Sequence, residues 1–366
     1  MENRTIDIPI YITQYNILTA LGNLTQTWTK LLEHKIGLNY VKLDKKNLNI
    51  YPLGIIDTLE GSIGSKERLY NLIDKLVQDI KSKIKDIKNY YLILATTKAA
   101  ADEILNPLTP AQPWHIASIV AKKLNISNYS TVSAACASST IAIIEGVYRI
   151  KNDINDKILI IGIDILSNFV ISGFSALKAL ATSPAKPFDK NRSGLSLGEG
   201  YGYITIEKYP QSSNNTPKII GAGTSCDAFH ITAPSKDGEG LIRCIKQACN
   251  NIDIKSVGGI NAHGTATIYN DAMEIKAFSS LWNKPIPIHS VKGAIGHLLG
   301  ACGIVETAIA IKSLKHKLLP PTIGLEEKIP THLQIDGQKV LPLNSPYILT
   351  CNSGFGGINA AILLAE

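Results

Sequence analysis

Aromatic residues are scarce in this 366-residue chain, at 6% of positions, and Met occurs only twice. Its core must therefore be assembled mostly from Ile, Leu, Val and Ala. Long hydrophobic runs are missing too. The apolar run Ile158–Leu166 carries Asp164 and is too short to span a bilayer, so no membrane insertion is expected. The first residues, MENRTIDIPIYI, include acids and lead into no extended apolar stretch, so no secretory leader is expected. The six cysteines (136, 226, 244, 249, 302 and 351) form no C-x-x-C and no zinc-ligand spacing, which argues for reduced thiols rather than a metal centre. No phosphate loop, dinucleotide fingerprint or His/Asp/Glu metal cluster is present. These absences point to a cytoplasmic globular protein without a metal site.

What charge there is leans positive, with a formal net charge of +7. Without basic–aromatic interleaving, this does not indicate nucleic acid. It reads equally well as a solvated Lys-rich surface or as a docking face for an acidic partner.

Short β-branched runs alternate with helical periodicity, which predicts an α/β layered architecture. Strands are expected at Ile8–Tyr15, Tyr90–Thr96, Tyr129–Ala135 and Ile158–Leu166, and helices at Lys66–Ile87 and Gln112–Leu124. The polar, turn-rich stretch Gln211–Pro217 suggests an internal boundary. Beyond it the same grammar restarts, with strands at Lys218–Gly223, Gly258–Ala262, Tyr347–Cys351 and Asn359–Leu364. Helices are expected there at Gly238–Asn250, Asp271–Leu281 and His297–Lys315. Two halves follow, residues 1–210 and 217–366.

Four segments carry chemistry. In TVSAACASSTIAIIEGVYRI (Thr131–Ile150), Cys136 falls at a strand-to-helix turn, where unpaired N–H groups and the helix dipole would favour a thiolate. In NAHGTATIYND, His263 leaves a buried strand, with Thr265 and Thr267 alternating beyond it. In SVKGAIGHLLGACG, glycines frame Lys292 and His297, the latter expected at a helix start that keeps its ring neutral. The glycine-rich turn NSGFGGIN could aim N–H groups at an oxyanion. A thiol with two neutral imidazoles suits acyl transfer followed by enolate chemistry, whereas no third group is apparent for a hydrolytic triad.

Together these segments resemble the β-ketoacyl-[acyl-carrier-protein] synthases of type II fatty-acid and polyketide synthesis. PFDKNRSGLSLGEG (Pro187–Gly200) and DAFHITAPSKDGEG (Asp227–Gly240) extend the resemblance, which runs from about Leu94 to the C-terminus. It implies a thiolase-like fold, a duplicated α-β-α-β-α sandwich. It also implies decarboxylative condensation of a malonyl thioester with an acyl chain on Cys136. By resemblance, His263 and His297 are catalytic and Lys292 tunes charge. The N–H groups of Cys136 and Phe355 form an oxyanion hole, Thr265 and Thr267 hold the phosphopantetheine arm, and Phe355 gates the acyl pocket. Asn261, Glu306 and Asn352 match bracing positions, in some members around a monovalent cation. No bound cofactor is implied, because the arm belongs to the acyl carrier protein. The implied partners are that carrier and a second subunit, in a homodimer or a heterodimer with a chain length factor. An inactive chain-length-factor-type subunit is the alternative, disfavoured by the retained Cys136. The turn is one Phe shorter than usual, Ile268 replaces a usual Pro, and ATTKAAA (Ala95–Ala101) replaces a glycine-rich stretch. The short form resembles ketosynthases of aryl-polyene and flexirubin-type pathways as much as fatty-acid ones.

Overall fold

A computed structural model describes residues 9–42, 50–104, 111–210 and 215–366. Ten strands form one continuous mixed sheet: β1 (Ile10–Thr19), β2 (Tyr91–Ala95), β3 (Tyr129–Val132), β4 (Lys157–Asp164), β5 (Gly200–Glu207), β6 (Lys218–Cys226), β7 (Gly259–Asn261), β8 (Ile288–His289), β9 (Tyr347–Gly354) and β10 (Ile358–Ala365). A two-residue strand, Gly22–Asn23, turns back on β1. The order is β8-β7-β9-β10-β6-β1-β5-β4-β2-β3.

That order contains a repeat. Read outward from β1, the first half runs 1-5-4-2-3; read outward from β6, the second runs 6-10-9-7-8. Strand senses match as well. The outer pairs β2–β3, β2–β4, β7–β8 and β7–β9 are parallel, while β4–β5, β5–β1, β9–β10 and β10–β6 are antiparallel. The halves join where β1 meets β6 antiparallel, at Ile10–Tyr11 against Lys218–Ile219.

The helices are α1 (Leu24–Leu32), α2 (Lys66–Lys83), α3 (Pro113–Leu124), α4 (Ser138–Lys151), α5 (Asn168–Ala176), α6 (Glu239–Ala248), α7 (Ile268–Leu281), the short α8 (Lys292–Ile295) and α9 (Cys302–His316). Because strand side chains alternate, each half buries both faces. Ile158 and Ile160 of β4, with Ile348 and Ile362, pack on α4 and α9 in a shared central core. Leu159 and Ile161 face α2 and α3, whereas Leu349 and Leu363 face α6 and α7. The result is five layers, α-β-α-β-α. Almost every residue of α9 is buried, as expected of a helix that is apolar all round.

The sequence reading differs from the structure at several ends. Helix α2 stops at Lys83, before Ile87, and α7 begins at Ile268, three residues early, with Ile268 and Tyr269 exposed. Strand β5 and helix α5 were not anticipated. The expected helix His297–Lys315 is displaced: α9 starts only at Cys302, after a 3-10 turn at Leu299–Ala301. Ile8 and residues 211–214 of the expected boundary lie outside the described residues. Among the described residues no helix is long and apolar enough to cross a membrane.

Candidate active site

Cys136 lies in a tight turn between β3 and α4, on small residues that allow it. Ala135 adopts a left-handed φ of 48°, a strained conformation for a side-chain-bearing residue. Ser138 over-determines the turn: its hydroxyl donates to the Ala135 carbonyl at 2.6 Å and accepts from the Ala134 N–H at 2.8 Å. Helix α4 begins two residues later, and Cys136 is 6% exposed. The expected thiolate stabilisation at a helix start is outweighed here. Burial pushes the Cys136 thiol up to about 12, against the lowering effects of the Lys292 charge and the Phe355 N–H. At rest Cys136 is a thiol.

The two histidines arrive from the second half. His263 follows β7, and its backbone N–H donates to Glu274 Oε1 at 2.7 Å while that of Gly264 donates to Oε2 at 2.7 Å. His297 is not at a helix N-terminus as expected. Its backbone pairs instead with the chain before β5, its N–H donating to Ser196 O at 2.7 Å and its carbonyl accepting from Gly198 N at 3.0 Å. The rings stand at 88°, with centroids 5.3 Å apart. One ring nitrogen from each and the Cys136 Sγ all fall within 4.8 Å of one another.

Hydrogen bonding fixes the tautomers. His297 Nδ1 accepts the Leu299 N–H at 2.9 Å. His263 Nδ1 faces two donors, Lys292 Nζ at 3.3 Å and Asn352 Nδ2 at 3.2 Å. With both Nδ1 atoms occupied as acceptors, each Nε2 carries the proton. Both rings are held neutral: burial pushes their pKa values well below the usual range, and the Lys292 charge pushes the same way.

Lys292 is fully buried in α8 and pairs with the Glu306 carboxylate. Burial pushes the ammonium pKa down, but the charge of Glu306 and its hydrogen bond reverse this, so Lys292 stays protonated. Glu306 also accepts from Asn352 Nδ2 at 2.6 Å, and its carbonyl accepts from Asn261 Nδ2 at 2.8 Å. The three bracing positions are thereby joined to the His263 ring.

A cavity of about 770 Å³ opens onto this group. Cys136, His263, His297, Thr265, Thr267 and Phe355 all line it, and Thr265 and Thr267 share a hydroxyl contact of 2.9 Å. The backbone N–H groups of Phe355 and of Cys136 itself both act to lower the thiol pKa, which places them beside the sulfur. Phe355 tops the turn between β9 and β10, where Gly356 and Gly357 take positive φ, and its ring lies 5.5 Å from that of Phe174 on α5.

Several supporting residues escaped the sequence reading. Asp271 and Glu274, both buried on one face of α7, clamp the His263–Thr265 loop, Asp271 Oδ1 accepting the Thr265 N–H at 3.1 Å. Arg192 donates to the carbonyls of Thr267 and Ile268. Asp227 and Asn359 latch the glycine turn through a 2.7 Å bond. Only their place in the quoted segments Pro187–Gly200 and Asp227–Gly240 signalled Arg192 and Asp227. Asp271 ends the segment NAHGTATIYND, whereas Glu274 carries no signal beyond its i, i+3 spacing from Asp271.

Comparison with known sequences bears on the family of the chain. Residues 83–212 match the β-ketoacyl synthase N-terminal domain and residues 217–326 its C-terminal domain. The chain belongs to the β-ketoacyl synthase family. A 3-oxoacyl-[acyl-carrier-protein] synthase homolog of Saccharomyces cerevisiae is 36% identical over 271 residues, covering 68% of this chain and 61% of the relative. The 3-oxoacyl-[acyl-carrier-protein] synthase 2 of Staphylococcus aureus is 34% identical over 252 residues, covering 64% and 62%. The matches thus span about three fifths of these relatives' length. A chain of the Xenorhabdus doucetiae ketosynthase–chain length factor complex superposes with a TM-score of 0.81 at 25% identity, over 100% of both chains. A β-ketoacyl synthase from Burkholderia phymatum STM815 gives 0.85 at 21% identity, over 98% of this chain and 99% of that one. The five layers are the thiolase-like fold that the sequence resemblance implied.

Proposed function

We propose that this chain is a condensing enzyme that extends a carrier-bound acyl chain by two carbons. The observation that carries the reading is the convergence of the Cys136 thiol with a ring nitrogen from each of two neutral histidines, beside the backbone N–H groups of Cys136 and Phe355. The Cys136 sulfur attacks the acyl thioester, and the oxyanion is held by the N–H groups of Cys136 and Phe355. The departing carrier thiolate takes up the proton lost by Cys136. A malonyl thioester then enters along Thr265 and Thr267 and loses carbon dioxide, and its enolate oxygen is stabilised by His263 and His297. The enolate carbon attacks the acyl-Cys136 carbonyl, expelling the Cys136 thiolate, which takes a proton from water. The product is a carrier-bound β-ketoacyl chain. This chemistry draws on no cofactor beyond the carrier's own arm.

The partners we infer are an acyl carrier protein and a second ketosynthase-like subunit, either identical or of the chain length factor type. A purely non-catalytic role is disfavoured because Cys136 and both histidines are retained and brought together. Intact-mass spectrometry tests the reading. An acyl-carrier donor should add its acyl group to the wild type but not to Cys136→Ala, and malonyl-carrier protein should then release a product two carbons longer. Absence of an adduct from every donor would overturn it.

A further inference from the structure

Behind the nucleophile lies a second buried cluster of charge that the reaction does not use. Asp164 ends β4 and is fully buried. It accepts from Thr96 Oγ1 at 2.8 Å, from Thr97 N and Oγ1 at 3.0 and 2.9 Å, and from Gly300 N at 2.7 Å. Lys98 completes it, with Nζ 3.2 Å from Asp164 Oδ1 and a second bond to the Ile165 carbonyl; its side chain is 6% exposed. The cluster abuts the site from behind. The hydroxyl of Ser133, three residues before Cys136, donates to the Thr97 carbonyl at 3.4 Å, and Gly300 follows His297 by three residues. A Cβ added at Gly300 would meet Asp164 Oδ2 at 2.7 Å and Thr97 N at 2.9 Å, so nothing separates this segment from the cluster. The Asp164 charge also reaches Cys136, adding to the upward push on its thiol. Yet none of the residues lining the cavity comes from Thr96–Ala100 or Asp164–Leu166.

We propose that the Lys98–Asp164 pair closes the interior behind Cys136, restricting the acyl group on Sγ to a short chain, with Lys98 setting the limit. This rests on the condensing-enzyme reading above. An apolar chain directed inward would have to lie against paired charges without water, breaking their hydrogen bonds or leaving one charge unpaired. Directed outward, it meets the apolar walls of Phe174, Leu177 and Phe355. That same cavity must admit the arm bearing the second substrate while the acyl group is still in place. Every methylene added to the acyl group therefore takes room from the arm. Lys98 is the residue that can be changed without undoing the rest, because Asp164 keeps four other donors when the lysine side chain is removed.

The test offers wild type and Lys98→Ala a panel of acetyl, butyryl, octanoyl and palmitoyl thioesters, reading the rate of adduct formation on Cys136 by intact mass. Wild type should load acetyl and butyryl at least about tenfold faster than octanoyl and palmitoyl, and Lys98→Ala should narrow that gap by a similar factor. Comparable loading of butyryl and palmitoyl by wild type overturns the proposal even if the variant does not fold. An unchanged length profile in a folded Lys98→Ala, checked by circular dichroism, also overturns it. No adduct from any thioester would instead remove the condensing-enzyme reading, and this proposal with it.

Discussion

His263 and His297 meet edge to face across 5.3 Å, and each is oriented by a donor at its Nδ1, so two Nε2–H groups are left for one oxygen. On the proposed condensing reading neither ring serves as a base, and both act as preorganised donors in a buried site. Replacing either by Ala should lower malonyl decarboxylation and condensation by about 10²–10³-fold. Acylation of Cys136 relies on backbone N–H groups and should be far less affected. Measuring both half-reactions separately decides this: equal losses in both would mean that a histidine also activates the thiol.

The buried Cys136 thiol, pushed up to about 12, leads to a reactivity order among the cysteines. Cys226 is exposed, whereas Cys136 is enclosed by the turn and the Phe355 loop. Iodoacetamide at neutral pH should therefore modify Cys226 before Cys136. Labelling of Cys136 should climb by roughly tenfold per pH unit across the alkaline range in which the protein stays folded, because the thiolate is the reacting form. Peptide mapping after timed quenching gives the order. Faster modification of Cys136 at pH 7 would show that the site lowers its pKa after all.

Much of this was legible in the residues because the halves obey local rules. The run Lys157–Asp164 reads as a buried strand, and the leucines and isoleucines of α2 share one face, so their layers could be expected. Helix α9 starts later than the sequence pattern implies because residues 298–314 are all buried or nearly so, leaving no polar face to mark its start at Cys302. His297 therefore sits before the helix rather than at its terminus, held by backbone pairing with Ser196 and Gly198. That contact spans about a hundred residues and leaves no periodic trace. Glu274 is hidden for a different reason: its partners are the N–H groups of the loop just before its own helix, and an isolated acid in a helix gives no hint that it is buried.

Glu274 links the catalytic loop to pH. Burial, reinforced by the Asp271 charge, raises its pKa to about 8, and Asp271 is raised to about 6, chiefly by burial. A carboxyl raised in the folded state binds its proton more tightly there than in the unfolded chain. The contribution of this carboxyl to stability should then be greatest below the usual carboxylate range, decline as pH rises from about 4.5 to 8, and level off above. Glu274→Gln should flatten the decline, which thermal melts at a series of pH values would show. Glu274→Ala leaves the buried N–H groups of His263 and Gly264 without acceptors, at a cost of about 1–3 kcal/mol each. A wild-type profile as flat as that of the Gln variant would refute the assignment.

The glycine turn that presents the Phe355 N–H is held from outside. Asn359 Nδ2 donates to Asp227 Oδ1, the Asp227 N–H donates to the Gly357 carbonyl at 2.8 Å, and Gly356 N donates to the Ile231 carbonyl at 2.7 Å. Asp227→Ala removes the first of these and also the acceptor for the Ser235 N–H at 3.0 Å. Because neither residue touches the sulfur, the loss should act through the position of the turn. Acylation of Cys136, which needs the Phe355 N–H at the oxyanion, should slow by about tenfold, roughly the effect of losing 1.4 kcal/mol of positioning. Malonyl decarboxylation depends on the two histidines and should change little. Phe355→Ala provides the contrast: it keeps the N–H but removes the ring that packs on Phe174, so substrate affinity should shift more than the acylation rate at saturation. If Asp227→Ala slowed both half-reactions equally, the turn would be supporting the whole cavity rather than the oxyanion site alone.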